Sequence, residues 1–260
     1  MAVYKRTYTR YAGPLTADRW RFAIIPRFAI KPLFDARVTM ALFATSLVPH
    51  LIALVLIYLR GNIESLVGLG FAGAQGLALF SIDGTFFLTV FTVEMFMSFF
   101  LVALIGPGLV SPDLANNALP LYLSRPFTRT EYVLGKLSVL MGLTSLTTWI
   151  PGLLAVGFQT AYGGSGWLAE NIRIPIGIVV GSLLWIATIS LMALALSAWV
   201  KWKPVAGGAL LAVFFVGAGF GTASNALLDM RWGALINLAG DMRMIWRWLL
   251  LGEDTYQIPT

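Results

Sequence analysis

Charged residues vanish from this chain in long blocks. Residues 38–59, 137–169, 174–200 and 204–228 contain no Asp, Glu, Lys or Arg. Each block exceeds the ~20 residues that cross about 30 Å of hydrocarbon. A further apolar block, 85–109, carries one acid, Glu94. The pattern predicts five transmembrane helices, at about 38–59, 85–109, 132–158, 174–199 and 204–224. The first would be about 33 Å long at a rise of about 1.5 Å per residue. Residues 65–82 compete as a sixth span, but the stretch is short, holds four glycines and lies between Glu64 and Asp83.

Basic residues decide between the two topologies, because they gather on the cytoplasmic side of a membrane protein. With five spans and a cytoplasmic N-terminus, segments 1–37, 110–136 and 200–203 lie inside. They hold thirteen of the 18 Lys and Arg, against five outside. A sixth span at 65–82 would destroy that asymmetry, so 65–82 is expected as an outer hairpin dipping into the membrane or lying at its surface. The chain then divides into a cytoplasmic tail and interface helix (1–37), a transmembrane domain (38–225) with a cytoplasmic loop at 110–131, and an extracytoplasmic segment (226–260). In that last segment Trp232, Trp246 and Trp248 lie close to Arg231, Arg243 and Arg247. This mixture suits an interfacial helix resting on the bilayer.

Composition narrows the class further. The 260 residues are 58% hydrophobic and 12% charged, where soluble domains run at about 45–50% and 25%. A polytopic all-α membrane protein is expected, and a soluble enzyme or a secreted disulfide scaffold is excluded. The net charge of +6 sits beside the first span, where it suits topology and anionic headgroups rather than nucleic acid. With no Cys and one His, neither thiol chemistry nor a metal site is expected.

The polar island between the second and third spans is the most informative stretch. Gly106-Pro107-Gly108 is placed to bend the helix at the membrane edge. Ser111-Pro112-Asp113 reads as a new helix start, with Ser at the N-cap and Pro at the first helical position. Leu114, Ala118 and Leu121 or Tyr122 share a face at helical spacing. Pro120 should end or bend this helix, and Ser124-Arg125-Pro126 reads as a turn. Thr128-Arg129-Thr130-Glu131 has the spacing of a capping box opening the third span. Leu114, Leu119, Leu121, Tyr122 and Leu123 are apolar where water is within reach. Such a helix lies in the headgroups or docks into a partner.

These residues resemble the signature region of ABC-2-type permeases, the membrane subunits of a class of ABC transporters. The shared pattern is an S-x-D/E start (Ser111-Pro112-Asp113), then L-x-x-x-L-S-R-P (Leu119 to Pro126) and G-K at the head of the next helix (Gly135-Lys136). Residues 11–37 resemble the amphipathic interface helix of that family, although Pro26 and Pro32 interrupt its phase. The resemblance is detailed over about thirty residues and loose elsewhere. It implies that Asp113, Leu114, Leu119, Tyr122, Arg125, Pro126 and Arg129 form a coupling surface for a separate ATPase subunit, with Arg19, Arg21, Arg27 and Lys31 nearby on the interface helix. It also implies a second permease subunit, ATP and Mg held by the partner rather than by this chain, a plasma (inner) membrane location, and export of an amphiphilic or lipid-like cargo. Members have six spans per subunit, so the five found before Thr260 leave the sequence one span short of the pattern, as a fragment would be.

No G-x-x-x-x-G-K-[ST] is present to cradle phosphates. Gly68-x-Gly70-x-x-Gly73 matches a dinucleotide pattern, but no strand precedes it, and close backbone packing is the better reading. Two polar residues lie inside spans, where ionisable groups face the bundle or a cavity. Glu94 is expected to hydrogen-bond across helices or to Ser98, or to serve a substrate or proton path. His50, after Pro49, is expected to meet the carbonyl that Pro49 frees or a neighbouring helix. Gly177-x-x-x-Gly181 and Gly217-x-x-x-Gly221 offer small faces for close helix packing, within the subunit or across a dimer. Two other classes stay open: a membrane anchor subunit of a larger complex, and an intramembrane enzyme built on Glu94 and His50.

Overall fold

A computed structural model describes residues 13, 18–68, 76, 81–124, 127–228 and 232–252. Among the described residues the chain is helical with no strand, and five helices are long and apolar enough to cross a membrane: Arg37–Gly61, Gly84–Ala115, Arg129–Gly164, Arg173–Trp199 and Lys203–Leu227. These spans coincide with the five read from the charge-free blocks. The short α4 (Ile63–Gly68) follows the first span, and most of the 65–82 segment lies outside the described residues.

Two spans are broken part-way by the same device. The first consists of α2 (Arg37–Ser46) and α3 (Val48–Gly61), parted at Leu47. Pro49 has no amide to offer the Thr45 carbonyl, and the hydroxyls of Thr45 and Ser46 turn back onto the Ala41 and Phe43 carbonyls, both at 2.8 Å. The third span consists of α8 (Arg129–Ser145) and α9 (Trp149–Glu170). Here Pro151 leaves the Thr147 carbonyl without its helical donor, while Thr147 and Thr148 both donate to the Thr144 carbonyl, at 3.0 and 2.8 Å. Back-bonding hydroxyls of this kind bend helices. At Gly164 (φ 77°) the helix axis breaks again, in a conformation glycine adopts without strain.

The second span is α5 (Gly84–Ile105), continued after Gly106 by α6 (Pro107–Ala115). Asp83 caps α5, its Oδ1 accepting from the amides of Thr85 and Phe86 at 2.9 and 3.1 Å. The expected helix start at Ser111 is not found. Ser111 lies inside α6, fully buried, where its Oγ donates to the Val200 carbonyl at 2.7 Å and its amide donates to Ser197 Oγ at 2.9 Å. The hydroxyl is taken by the fourth span, α10 (Arg173–Trp199), so it cannot cap its own helix. Asn117, at φ 50°, turns the chain into the short α7 (Leu119–Leu123).

The capping box is present as expected. The Thr128 amide donates to Glu131 Oε2 at 2.6 Å, and the Glu131 amide donates to Thr128 Oγ1 at 3.2 Å. Thr128→Ala is expected to lower stability by about 1 kcal/mol, measured by thermal unfolding in detergent. Thr128→Asn should recover most of the loss.

At one end of the bundle, α1 (Ile24–Asp35) packs beside the start of the third span, where Gly135 faces Ile25 and the Phe22 carbonyl. Pro26 lies in its first turn, where a missing amide costs little, and Pro32 sits inside it. Contrary to expectation, the two prolines do not interrupt the helix.

The C-terminal segment corrects a third expectation. After α11 (Lys203–Leu228), a 3-10 turn, Trp232–Ile236, runs back along the fifth span. Gly233 abuts Gly221, and a side chain at Gly217 would meet the Ile236 carbonyl at 3.1 Å. Gly217 is eleven residues before the end of α11, so the turn descends about 16 Å. The next helix, α12 (Leu238–Leu251), climbs back until Leu250 reaches Gly84 and Gly252 reaches Arg173. The segment is therefore a hairpin sunk into the bundle rather than a helix resting on it. Its Trp246 is 1% exposed, with its ring 5.7 Å from that of Phe91. On its apolar face, Trp246 lies against Gly181 and Leu250 against Gly177, and Met242 is buried with them. Trp248 remains half-exposed.

Candidate functional site

Two places gather the side chains singled out by the sequence. The first is the end of the bundle that carries α1, α6, α7 and the turn before α11. Asp113, near the C-terminus of α6, lies with Oδ2 2.8 Å from Lys136 Nζ and accepts a hydrogen bond from the Tyr132 hydroxyl at 2.7 Å. The Lys136 ammonium also sits 5.4 Å from the centroid of the Tyr132 ring, within cation–π reach. Lys136 is buried, so this acid is its compensating charge. Tyr122 leans on Tyr132, with ring centroids 5.4 Å apart. Burial, and then the charge of Asp113, raise the Tyr122 phenol above its ordinary pKa.

The expected coupling surface is thus divided. Asp113 turns inward to the third span, and Leu114 packs partly against the core. Leu119 and Tyr122 are half-buried, while Arg129 is exposed. Leu121 projects from α7 at 71% exposure. Arg125 and Pro126 lie outside the described residues. Around this end, Arg27 and Lys31 are exposed on α1 and Arg21 is half-buried. Arg19 belongs to the 3-10 turn Asp18–Ala23 by its backbone, and its side chain lies outside the described part. Lys203 reaches across Gly108, where an added Cβ would meet Nζ at 3.2 Å. The basic groups of 21–37, 129–136 and 201–203 therefore share one end.

The roles of Lys136, Tyr132 and Ser197 were not apparent from the sequence. The available signal was a single lysine seven residues into an apolar helix, which needs an acid from elsewhere.

The second place lies within the spans. His50 on α3 and Glu94 on α5 are 1% and 0% exposed and face one another, with Nδ1 and Oε2 3.7 Å apart. The imidazole also stands edge-on to Phe91, with centroids at 5.4 Å. Neither expected local partner is used. No carbonyl takes a hydrogen bond from His50. The Ser98 hydroxyl donates to the backbone carbonyl of Glu94 at 2.8 Å rather than to its carboxyl, and accepts from Trp185 Nε1 at 3.0 Å. Thr147, at the break in the third span, neighbours the Glu94 carboxyl. Among the described residues, no three His, Cys, Asp or Glu side chains are grouped to hold a metal ion.

Between the first and second spans lies a cavity of about 710 Å³. Pro49, Ala53, Phe86 and Val90 line its length, with Ser81 and Asp83 at one end. Comparison of the chain with protein-family models, curated proteins and solved structures finds no match.

Proposed function

We propose that this chain is the permease subunit of an ABC-2-type transporter, a multi-pass protein of the plasma (inner) membrane with its N-terminus in the cytoplasm. The observation that carries the reading is the loop 106–128. It projects a short apolar helix from the end of the bundle where the basic segments gather, with Leu121 71% exposed at its tip. Lipid headgroups or a groove on a soluble partner would cover Leu121. The motif in residues 111–136 points to an ATPase subunit as that partner, with ATP and Mg bound there. This chain would supply the membrane path, paired with a second permease subunit.

The coupling path follows from what grips α6. Asp113 ties it to the third span through Lys136 and Tyr132, and Ser111 ties it to the fourth through Ser197 and Val200. A push on α7 would reach three spans at once and tilt them together. The cavity between the first and second spans, apolar along its length and polar at one end, supports an amphiphilic cargo. The expected direction is export.

Mild-detergent purification from the native host tests this reading. An ATP-binding-cassette subunit should co-purify with the wild-type chain. Leu121→Glu should remove it, with at least a tenfold loss of recovered partner and no change in thermal stability. Recovery of a different partner with the wild type, or full retention of the ATPase by Leu121→Glu, contradicts the proposal.

A further inference from the structure

We propose that His50 and Glu94 together form a one-proton binding site, and that the shared proton fastens the first membrane-spanning helix to the second. The inference rests on the geometry of the pair and not on the transporter reading, so each can fail without the other.

The two side chains come from different helices, 44 positions apart, and both are fully buried. Neither imidazole nitrogen has a hydrogen-bond partner, and the one other polar group beside the carboxyl, the Thr147 hydroxyl, gives its own proton to the Thr144 carbonyl at 3.0 Å. Each group therefore has the other as its closest ionisable neighbour, at 3.7 Å. That separation is about 1 Å longer than a charge-assisted hydrogen bond, a gap that a small side-chain rotation closes.

Charge then sets the proton count. With no proton the pair is −1, and with two it is +1. Either state leaves a bare charge in the apolar interior, which is costly there. With one proton the pair is neutral, whether as imidazolium and carboxylate or as imidazole and carboxylic acid. Passage between these two forms moves a single proton between Nδ1 and Oε2 and changes no net charge, so the proton belongs to the pair rather than to either residue. The other buried Lys, Arg, Asp or Glu among the described residues, Lys136, is committed to Asp113.

The site is also mechanically placed. His50 lies three residues beyond the break at Leu47, on the half of the first span whose far end packs on the third span, with Gly61 against the Tyr162 ring. Fastening it to Glu94 holds that half against the second span. When the pair parts, the proton stays with Glu94 and leaves two neutral groups.

Because His50 is the sole histidine, protein labelled with [15N]histidine in phospholipid nanodiscs reports this one imidazole by NMR. In the wild type, the Nδ1 resonance should be displaced from that of a neutral imidazole lacking hydrogen bonds. Glu94→Gln, which removes the acid, should move it again. Glu94→Asp should keep the wild-type pattern. A wild-type spectrum of a free neutral imidazole, or superimposable wild-type and Glu94→Gln spectra, would overturn the proposal. The wild-type spectrum decides the matter even if a variant fails to fold. For the fastening itself, spin labels at the exposed positions Val55 and Val93 should give a narrow distance distribution that broadens in His50→Gln. An unchanged distribution would refute that part.

Discussion

Asp113→Ala is expected to destabilise the chain by about 3 kcal/mol, the cost of leaving a buried partner charge alone. Lys136 is held away from water by Tyr132 and the start of the third span, and its ammonium meets Asp113 Oδ2 at 2.8 Å. Removing the acid strands that ammonium and also takes the acceptor from the Tyr132 hydroxyl. Chemical or thermal unfolding in detergent would measure the loss. The double variant Asp113→Leu with Lys136→Met should return to within about 1 kcal/mol of wild type, since replacing both members of a buried pair by apolar groups is close to neutral. A cost below about 1 kcal/mol for Asp113→Ala alone would match an exposed pair and remove Asp113 as the anchor of α6. The double variant also separates two roles. If Asp113 acts by positioning α6, partner binding should recover along with stability. If it touches the partner, stability should recover and binding should not.

Gly181→Leu should unseat the C-terminal hairpin. A Cβ at Gly181 runs directly into the indole of Trp246. That ring is buried and packs edge-on against Phe91, which leaves it little room to retreat. Overpacking a closed site costs about 1–3 kcal/mol, and here the cheapest relief is for α12 to leave its place against α10. The expected readout is a several-fold rise in proteolysis between residues 238 and 252 and a red shift of tryptophan emission, with the other spans intact. Gly219→Leu, on the same kind of helix but with nothing near its added Cβ, should change neither. If Gly181→Leu leaves the hairpin protected, the packing described for Trp246 is wrong.

What the sequence made legible follows from where its information is local. The spans are written in the absence of charge, and the capping box is written in four consecutive residues, Thr128 to Glu131. Both are found in the structure. Ser111 illustrates the opposite case. Its local signal for a helix start is sound, but a tertiary hydrogen bond to the fourth span, 86 residues away, outcompetes it. The glycine pairs at 177/181 and 217/221 were legible as close-packing faces, yet a small residue says nothing about what will fill it. Their partner is the C-terminal segment, whose mixture of Trp and Arg reads equally well as a surface helix. Asp113 looked like part of an exposed surface for a similar reason: Lys136 lies 23 residues further on, and only the turn at 116–128 brings the two together. Glu94 and His50 were each conspicuous as polar residues in apolar helices. Their pairing was not, because helix adjacency is decided by packing across the bundle.

The most direct test of the proposed function is a photo-crosslinking amino acid at position 121, activated in native membranes and followed by mass spectrometry of the adduct. The coupling account predicts an ATP-binding-cassette subunit joined to this chain at α7, with the same label at Val55 on the first span giving no such product. Adducts at 121 with lipid alone, or with a protein that has no nucleotide-binding site, would contradict it.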